Sequence, residues 1–265
     1  MELDDAYANA AHIPGAEAYP PRWATLAAEF RNITAARDGM IAGLAYGDAP
    51  RQTLDLFYPP GHAPEGLAVF VHGGYWLRFD RAFWSHLAAG PLARGWAVAV
   101  PSYDLCPDVS IAEITRQIAR AVTVLAGRVA GPIALAGHSA GGHLVARMAV
   151  RGVLPADVAA RLCHVLPISP VADLRPLLQT SMNEHLGLDV AAAEAESPVL
   201  MQPVPVPVTV WVGAQERPAF LDQARGLAAA WSASLQVAEG RHHFDVIDAM
   251  RDPDSAMVSD LCGPF

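Results

Sequence analysis

This sequence of 265 residues predicts an α/β fold, with a mostly parallel central sheet and helices on both faces. Three observations predict it. Seven short apolar runs alternate along the chain with segments of helical periodicity. Hydrophobic residues make up 52% and charged residues 17%, which suits strands buried on both faces. Two of the runs end in glycine-rich turns, at 73–74 and 137–141, where functional groups collect at the carboxyl edge of such a sheet.

The elements follow in order. Residues 1–35, with Tyr7, Tyr19, Trp23 and Phe30, are expected to form an N-terminal arm whose aromatics pack on the body. Strands are expected at 53–58 and 67–72, a helix at 80–90, and a strand at 96–101. The helix at 111–128 places Ile111, Ile114, Ile118, Val122 and Leu125 on one face. A strand at 131–137 runs through a glycine-bounded turn into a helix at 140–152, and a strand at 163–168 follows. The stretch 173–206 breaks the alternation with an alanine-rich helix near 190–196 and prolines at 203, 205 and 207; it is expected to form a small cap. A strand at 207–213, a helix at 218–231, a strand at 234–238 and a helix at 244–250 complete the chain. No composition shift marks a second unit, so residues 1–265 read as a single domain.

The 27 acidic and 18 basic residues give a net charge of −9, without basic clusters. That is unsuited to nucleic acid or an anionic membrane, and points to a small-molecule partner. Met1-Glu2-Leu3-Asp4-Asp5 lacks the cationic start and apolar core of a signal peptide. No apolar stretch approaches the roughly 18 residues needed to span a bilayer, so a soluble cytoplasmic protein is expected. Cys106, Cys163 and Cys262 form no C-x-x-C pair, which argues against a disulfide framework or structural zinc; they are expected to be buried apolar residues. The oligomeric state is left open, a homodimer included.

Gly137-His138-Ser139-Ala140-Gly141 is a G-x-S-x-G pentapeptide between the apolar run 132–136 and a helix. That context is the nucleophile elbow of an α/β-hydrolase fold, which lifts one serine hydroxyl clear of the sheet edge. Upstream, His72-Gly73-Gly74-Tyr75-Trp76 ends another apolar run. Acyl transfer from a serine passes through an oxyanion that needs preorganised N–H donors, and paired glycines let the backbone approach and present them. Gly73 and Gly74, with Ala140 after the nucleophile, are the expected oxyanion hole. Tyr75, Trp76 and Tyr103 are the expected aromatic lining of a substrate pocket.

In this fold the chain order is serine, acid, histidine. Glu216 lies in the loop after strand 207–213, just before Pro218 at the first turn of a helix, a position from which a carboxylate reaches the base. Asp173, after strand 163–168, is the alternative acid; Asp222 falls too far along the helix surface. Only His242 and His243 follow the acid. His243, next to the apolar anchor Phe244 with Val246-Ile247, is the expected base, with His242 its solvated neighbour. His138 and His143 read as structural. The expected chemistry is hydrolysis of a small acyl amide or ester through Ser139, His243 and Glu216. A non-catalytic binding protein on the same fold is the alternative, although such proteins typically lose triad members.

These residues resemble those of the kynurenine formamidase (arylformamidase) group of α/β-hydrolases, close to the hormone-sensitive-lipase-like esterases. The resemblance rests on the two glycine motifs, the second continuing Gly142-His143-Leu144, and on Asp173-Leu174-Arg175-Pro176-Leu177, Ser197-Pro198 and His243-Phe244. Tyr46-Gly47 and 51–57 add to it, and it covers roughly 20–250. It implies release of formate from N-formylkynurenine without metal or organic cofactor, and an acid at Glu216, where the family usually carries aspartate. The residues alone fit a short-chain carboxylesterase or thioesterase equally well.

Overall fold

The structure is a computed structural model and describes residues 1–263. Eight strands form one sheet: β1 (Met40–Ala45), β2 (Thr53–Phe57), β3 (Leu67–Val71), β4 (Ala97–Pro101), β5 (Ile133–His138), β6 (Leu162–Ile168), β7 (Thr209–Gly213) and β8 (Ser234–Ala238). Their spatial order is β1-β2-β4-β3-β5-β6-β7-β8. β1 and β2 run antiparallel at one edge, and all pairs from β4 to β8 are parallel. β3, β4 and β5 are buried along their whole length, which is why they read as unbroken apolar runs.

Two apolar layers sandwich the sheet. On one side pack the helices Ile111–Ala126, Ala140–Met148 and Pro218–Trp231; Ile111, Ile114, Ile118, Val122 and Leu125 are all buried, as their spacing requires. Ser110 caps the first of these by accepting from the Glu113 N–H at 3.2 Å. On the other side lie Trp23 and Ala27 of the helix Tyr19–Ala35, the turns around Trp84 to Ala88, and the helix Ala256–Cys262.

Several elements depart from the sequence reading. β1 was not foreseen: Met40–Ala45 is half exposed, and Gly43 (φ +63°) interrupts its register between Ile41 and Leu44, so no alternation survives. The expected helix at 80–90 is two 3₁₀ turns, Arg81–Phe83 and Ser85–Ala88, followed by a short α-helix, Ala89–Ala93. The segment 244–250 is a 3₁₀ helix, Val246–Arg251. β7 starts at Thr209 rather than 207, since the proline at 207 has no N–H to donate to a ladder. The arm contains the 17-residue helix Tyr19–Ala35. The stretch 173–206 holds the short helices Asn183–Leu186 and Val190–Ala195 between 3₁₀ turns. No helix among the described residues is long and apolar enough to cross a membrane.

Candidate active site

β3 and β5 are parallel neighbours with Val71 opposite Gly137, so the glycine loop and the elbow emerge side by side at one sheet edge. Ser139 links β5 to the helix Ala140–Met148 with φ +58° and ψ −117°, a strained conformation for a serine and the one that a nucleophile elbow demands. The turn is packed too tightly for side chains: a Cβ on Gly141 would meet the Val71 carbonyl oxygen at 2.0 Å. The helix after Ser139 points its N-terminus at the serine, with the His143 N–H donating to the Ser139 carbonyl at 3.1 Å.

The loop after β3 is strained in its turn. Gly74 (φ +111°), Tyr75 (φ +54°) and Trp76 (φ +56°) are consecutive left-handed residues. Gly73 lies against the elbow, where a Cβ would stand 2.8 Å from the His138 carbonyl oxygen and 3.0 Å from the Ser139 Cβ. Among the described residues, the backbone hydrogen bonds of these loops engage none of the N–H groups of Gly73, Gly74 and Ala140.

His72 underpins this loop. Its Nδ1 lies 2.8 Å from the Gly73 carbonyl oxygen, and Tyr103 stacks on its ring at 4.3 Å while donating its hydroxyl to the His72 carbonyl at 2.9 Å. Burial pushes His72 down to about 4, so the imidazole is neutral at neutral pH. Trp76 packs edge-on against the His143 ring at 5.1 Å. Trp76 and Tyr103 are fully buried, and their ring contacts brace the glycine loop. Tyr75 is partly exposed, and its hydroxyl donates to the Tyr7 carbonyl at 2.7 Å.

The residues expected as acid and base meet. Glu216, in the loop after β7, accepts from His243 Nδ1 at 2.6 Å through Oε2. Its Oε1 accepts from the Ser169 hydroxyl at 2.5 Å and the Gly213 N–H at 2.8 Å. The carboxylate is fully buried and His243 nearly so. With Nδ1 bound to the acid, the tautomer that donates there leaves Nε2 free to accept a proton. Phe220 packs on the His243 ring at 4.4 Å, and the His138 ring lies 4.6 Å away on another side, beside Ser139 in sequence. Burial, reinforced by the charge of His243, holds His138 well below the ordinary histidine value, so it is a neutral wall and no rival base.

The competing assignments fall elsewhere. Asp173 is paired with Arg175 (2.7 and 2.9 Å), and among the described residues no hydrogen bond or ion pair joins it to a histidine. Burial raises its carboxyl, but the hydrogen bonds and charge of Arg175 outweigh that and hold it below the usual value. Asp222 is exposed beside Arg225. His242 is committed to structure: its Nε2 lies 3.0 Å from the Tyr19 hydroxyl, and its Nδ1 accepts from the Phe244 N–H at 3.1 Å. His143 sits 2.6 Å from the Glu196 carbonyl oxygen, and burial pushes it down to about 4.

Sequence reasoning missed Ser169, Phe220 and the reach of the arm. Tyr7 inserts edge-on against Phe220 at 5.8 Å and accepts from Gln223 Nε2 at 2.9 Å. Farther along the arm, Leu3 and Asp4 bind Gln179 and Ser181, and Asp5 pairs with Arg217 at 2.5 Å. Among the described residues no group of three or more His, Cys, Asp or Glu is arranged to hold a metal ion.

Comparison with known proteins gives the chain a family. A family model described as an α/β-hydrolase fold matches residues 68–246. A kynurenine formamidase of Drosophila melanogaster is 33% identical over 248 residues, covering 85% of this chain and 81% of that one. A kynurenine formamidase of Danio rerio is 27% identical over 228 residues, covering 80% and 77%. A solved structure from Silicibacter sp., described as a candidate thioesterase, is 58% identical with a TM-score of 0.96, covering 98% of this chain and 99% of that one.

Proposed function

This chain belongs to the α/β-hydrolase family, and within it we propose an arylformamidase that releases formate from aryl formamides such as N-formylkynurenine. That it hydrolyses ester or amide bonds follows from its relatives; the triad, the acyl-enzyme and the substrate are our reading.

The mechanism runs through three side chains. Ser139 Oγ attacks the formyl carbon as His243 Nε2 takes its proton; Glu216 orients the imidazole and offsets the charge of the imidazolium. The N–H groups of Gly73, Gly74 and Ala140 stabilise the oxyanion. His243 returns the proton to the leaving arylamine, and water activated by the same imidazole then frees formate and regenerates Ser139. The observation that carries this reading is the buried Glu216–His243 hydrogen bond of 2.6 Å, with the His243 ring 4.6 Å from that of His138, the residue before a serine in elbow conformation.

Support for a formyl group comes from the kynurenine formamidases of Drosophila melanogaster and Danio rerio to which this chain is similar. The N-terminal arm and the segment 173–206 are proposed to close the leaving-group side as a cap, tied together by the Leu3 contact with Gln179 and the Asp4 contact with Ser181. A panel of N-formylkynurenine, p-nitrophenyl acetate and p-nitrophenyl butyrate tests this. Each methylene forced into too small a pocket is worth about 1–3 kcal/mol, and butyrate has two more than acetate, so kcat/KM should fall about thirtyfold or more from acetate to butyrate. N-formylkynurenine should exceed both. Rising efficiency toward butyrate, with negligible formamide cleavage, would establish a carboxylesterase instead.

One observation favours a second reading. The 58% identical relative is described as a candidate thioesterase. On that reading a short acyl thioester in the same panel would have the highest kcat/KM.

A further inference from the structure

We propose that Ser169 is a positioning residue that makes a glutamate workable as the acid of this site; the inference rests on the triad reading above. Ser169 directly follows β6, the strand beside β7, and is completely buried. Its N–H donates to the Trp211 carbonyl of β7 at 2.6 Å, which fixes it across from the loop that carries the acid. Its backbone lies at φ +47°, a strained region for a serine. That strain accompanies one visible outcome: the hydroxyl donates to Glu216 Oε1 at 2.5 Å.

Glutamate has one more rotatable bond than aspartate, so a carboxylate held only by the histidine would sample more orientations. Here the oxygen that His243 does not use is pinned by two donors, Ser169 Oγ and the Gly213 N–H, and the other is left to the imidazole. The backbone at Gly213 is shaped for this close approach. A Cβ there would stand 2.4 Å from the Arg241 carbonyl oxygen and 3.2 Å from Glu216 Oε1. Ser169 and Gly213 thus act on the reaction through Glu216, without contacting substrate.

The test is a double-mutant cycle on kcat for p-nitrophenyl acetate, using Ser169→Gly, Ser169→Ala, Glu216→Gln and the combined Ser169→Gly/Glu216→Gln variant. Glycine accepts φ +47° without strain, so it removes the hydroxyl while relaxing the backbone and guards against a folding failure of the alanine variant. Both serine variants should lower kcat about tenfold to a hundredfold with KM little changed, as for loss of a charge-assisted hydrogen bond. In the Glu216→Gln background, loss of the hydroxyl should cost less than threefold, because the group it positions is already disabled. The His243 Nδ1 proton resonance should shift in Ser169→Gly. Near-wild-type kcat in a folded Ser169→Gly variant would overturn the inference, and so would an undiminished loss in the Glu216→Gln background. A Glu216→Gln enzyme with near-wild-type kcat would instead remove the triad reading itself.

Discussion

Replacing Glu216 by glutamine separates charge and acceptor from shape. The glutamine oxygen can keep the donors Ser169 Oγ and the Gly213 N–H, at 2.5 and 2.8 Å in the wild type. Its NH2 then faces His243 Nδ1, where Oε2 accepted a hydrogen bond at 2.6 Å. Two donors cannot share that contact, so the imidazole must place its proton on Nε2, the atom needed to take the proton of Ser139. The expected loss is on the order of 10⁴ in kcat, about 5 kcal/mol of transition-state stabilisation. Two of the three hydrogen bonds and the packing survive, so the melting temperature should move by no more than about 4 °C, equivalent to about 1 kcal/mol. Steady-state kinetics on p-nitrophenyl acetate, with thermal unfolding as the control, measures both. Asp173→Asn is the internal comparison: its partly exposed ion pair with Arg175 is worth about 0–1 kcal/mol, and kcat should stay within about twofold of wild type. If Asp173→Asn is the more damaging change in two folded proteins, the acid has been assigned to the wrong residue.

The paired histidines should behave differently: His243→Ala should lose on the order of 10⁴ to 10⁶ in kcat, whereas His242→Ala should keep kcat and lose about 1 kcal/mol of stability with its Tyr19 contact. Equal kinetic damage in both variants would contradict this. A pH prediction concerns His86, buried with neither ring nitrogen hydrogen-bonded and pushed down to about 4 by burial and by the charges of Arg251, Arg22 and Arg31. Between 6.5 and 4 the unfolded chain binds a proton that the folded one refuses, so stability is full above 6.5 and is lost as the pH falls toward 4. One such group contributes at most about 1.4 kcal/mol per pH unit. His86→Leu should flatten that slope in urea titrations and be no less stable at pH 5; an unchanged slope would show that His86 does not refuse the proton. His72 and His143, both also pushed down to about 4, should supply part of the remaining slope.

The sheet was legible where burial writes a simple pattern. β3, β4 and β5 are apolar because both faces are covered, and helix 111–126 shows its face through five aliphatics. β1 was not, because an exposed edge strand broken by Gly43 carries no period. Ser139 and the glycine loop were legible because strained turns and close backbone approaches restrict the residue type, and the order serine, acid, histidine then left few candidates for the rest. Ser169 was hidden because its role depends on β6 and β7 being neighbours, a fact of sheet order. The contacts by which Trp76 and Tyr103 brace His143 and His72 were hidden for a related reason, since they too depend on how distant elements pack.

The central claim is that Ser139 is the nucleophile of an acyl-enzyme, and covalent labelling reads it most directly. Treatment of the folded protein with a fluorophosphonate probe, followed by intact-mass and peptide mass spectrometry, should give one adduct per chain, located on Ser139. The Ser139→Ala variant, folded to the same melting temperature, should take up none. An adduct on another residue, or a folded wild-type protein that stays unlabelled, would contradict the account.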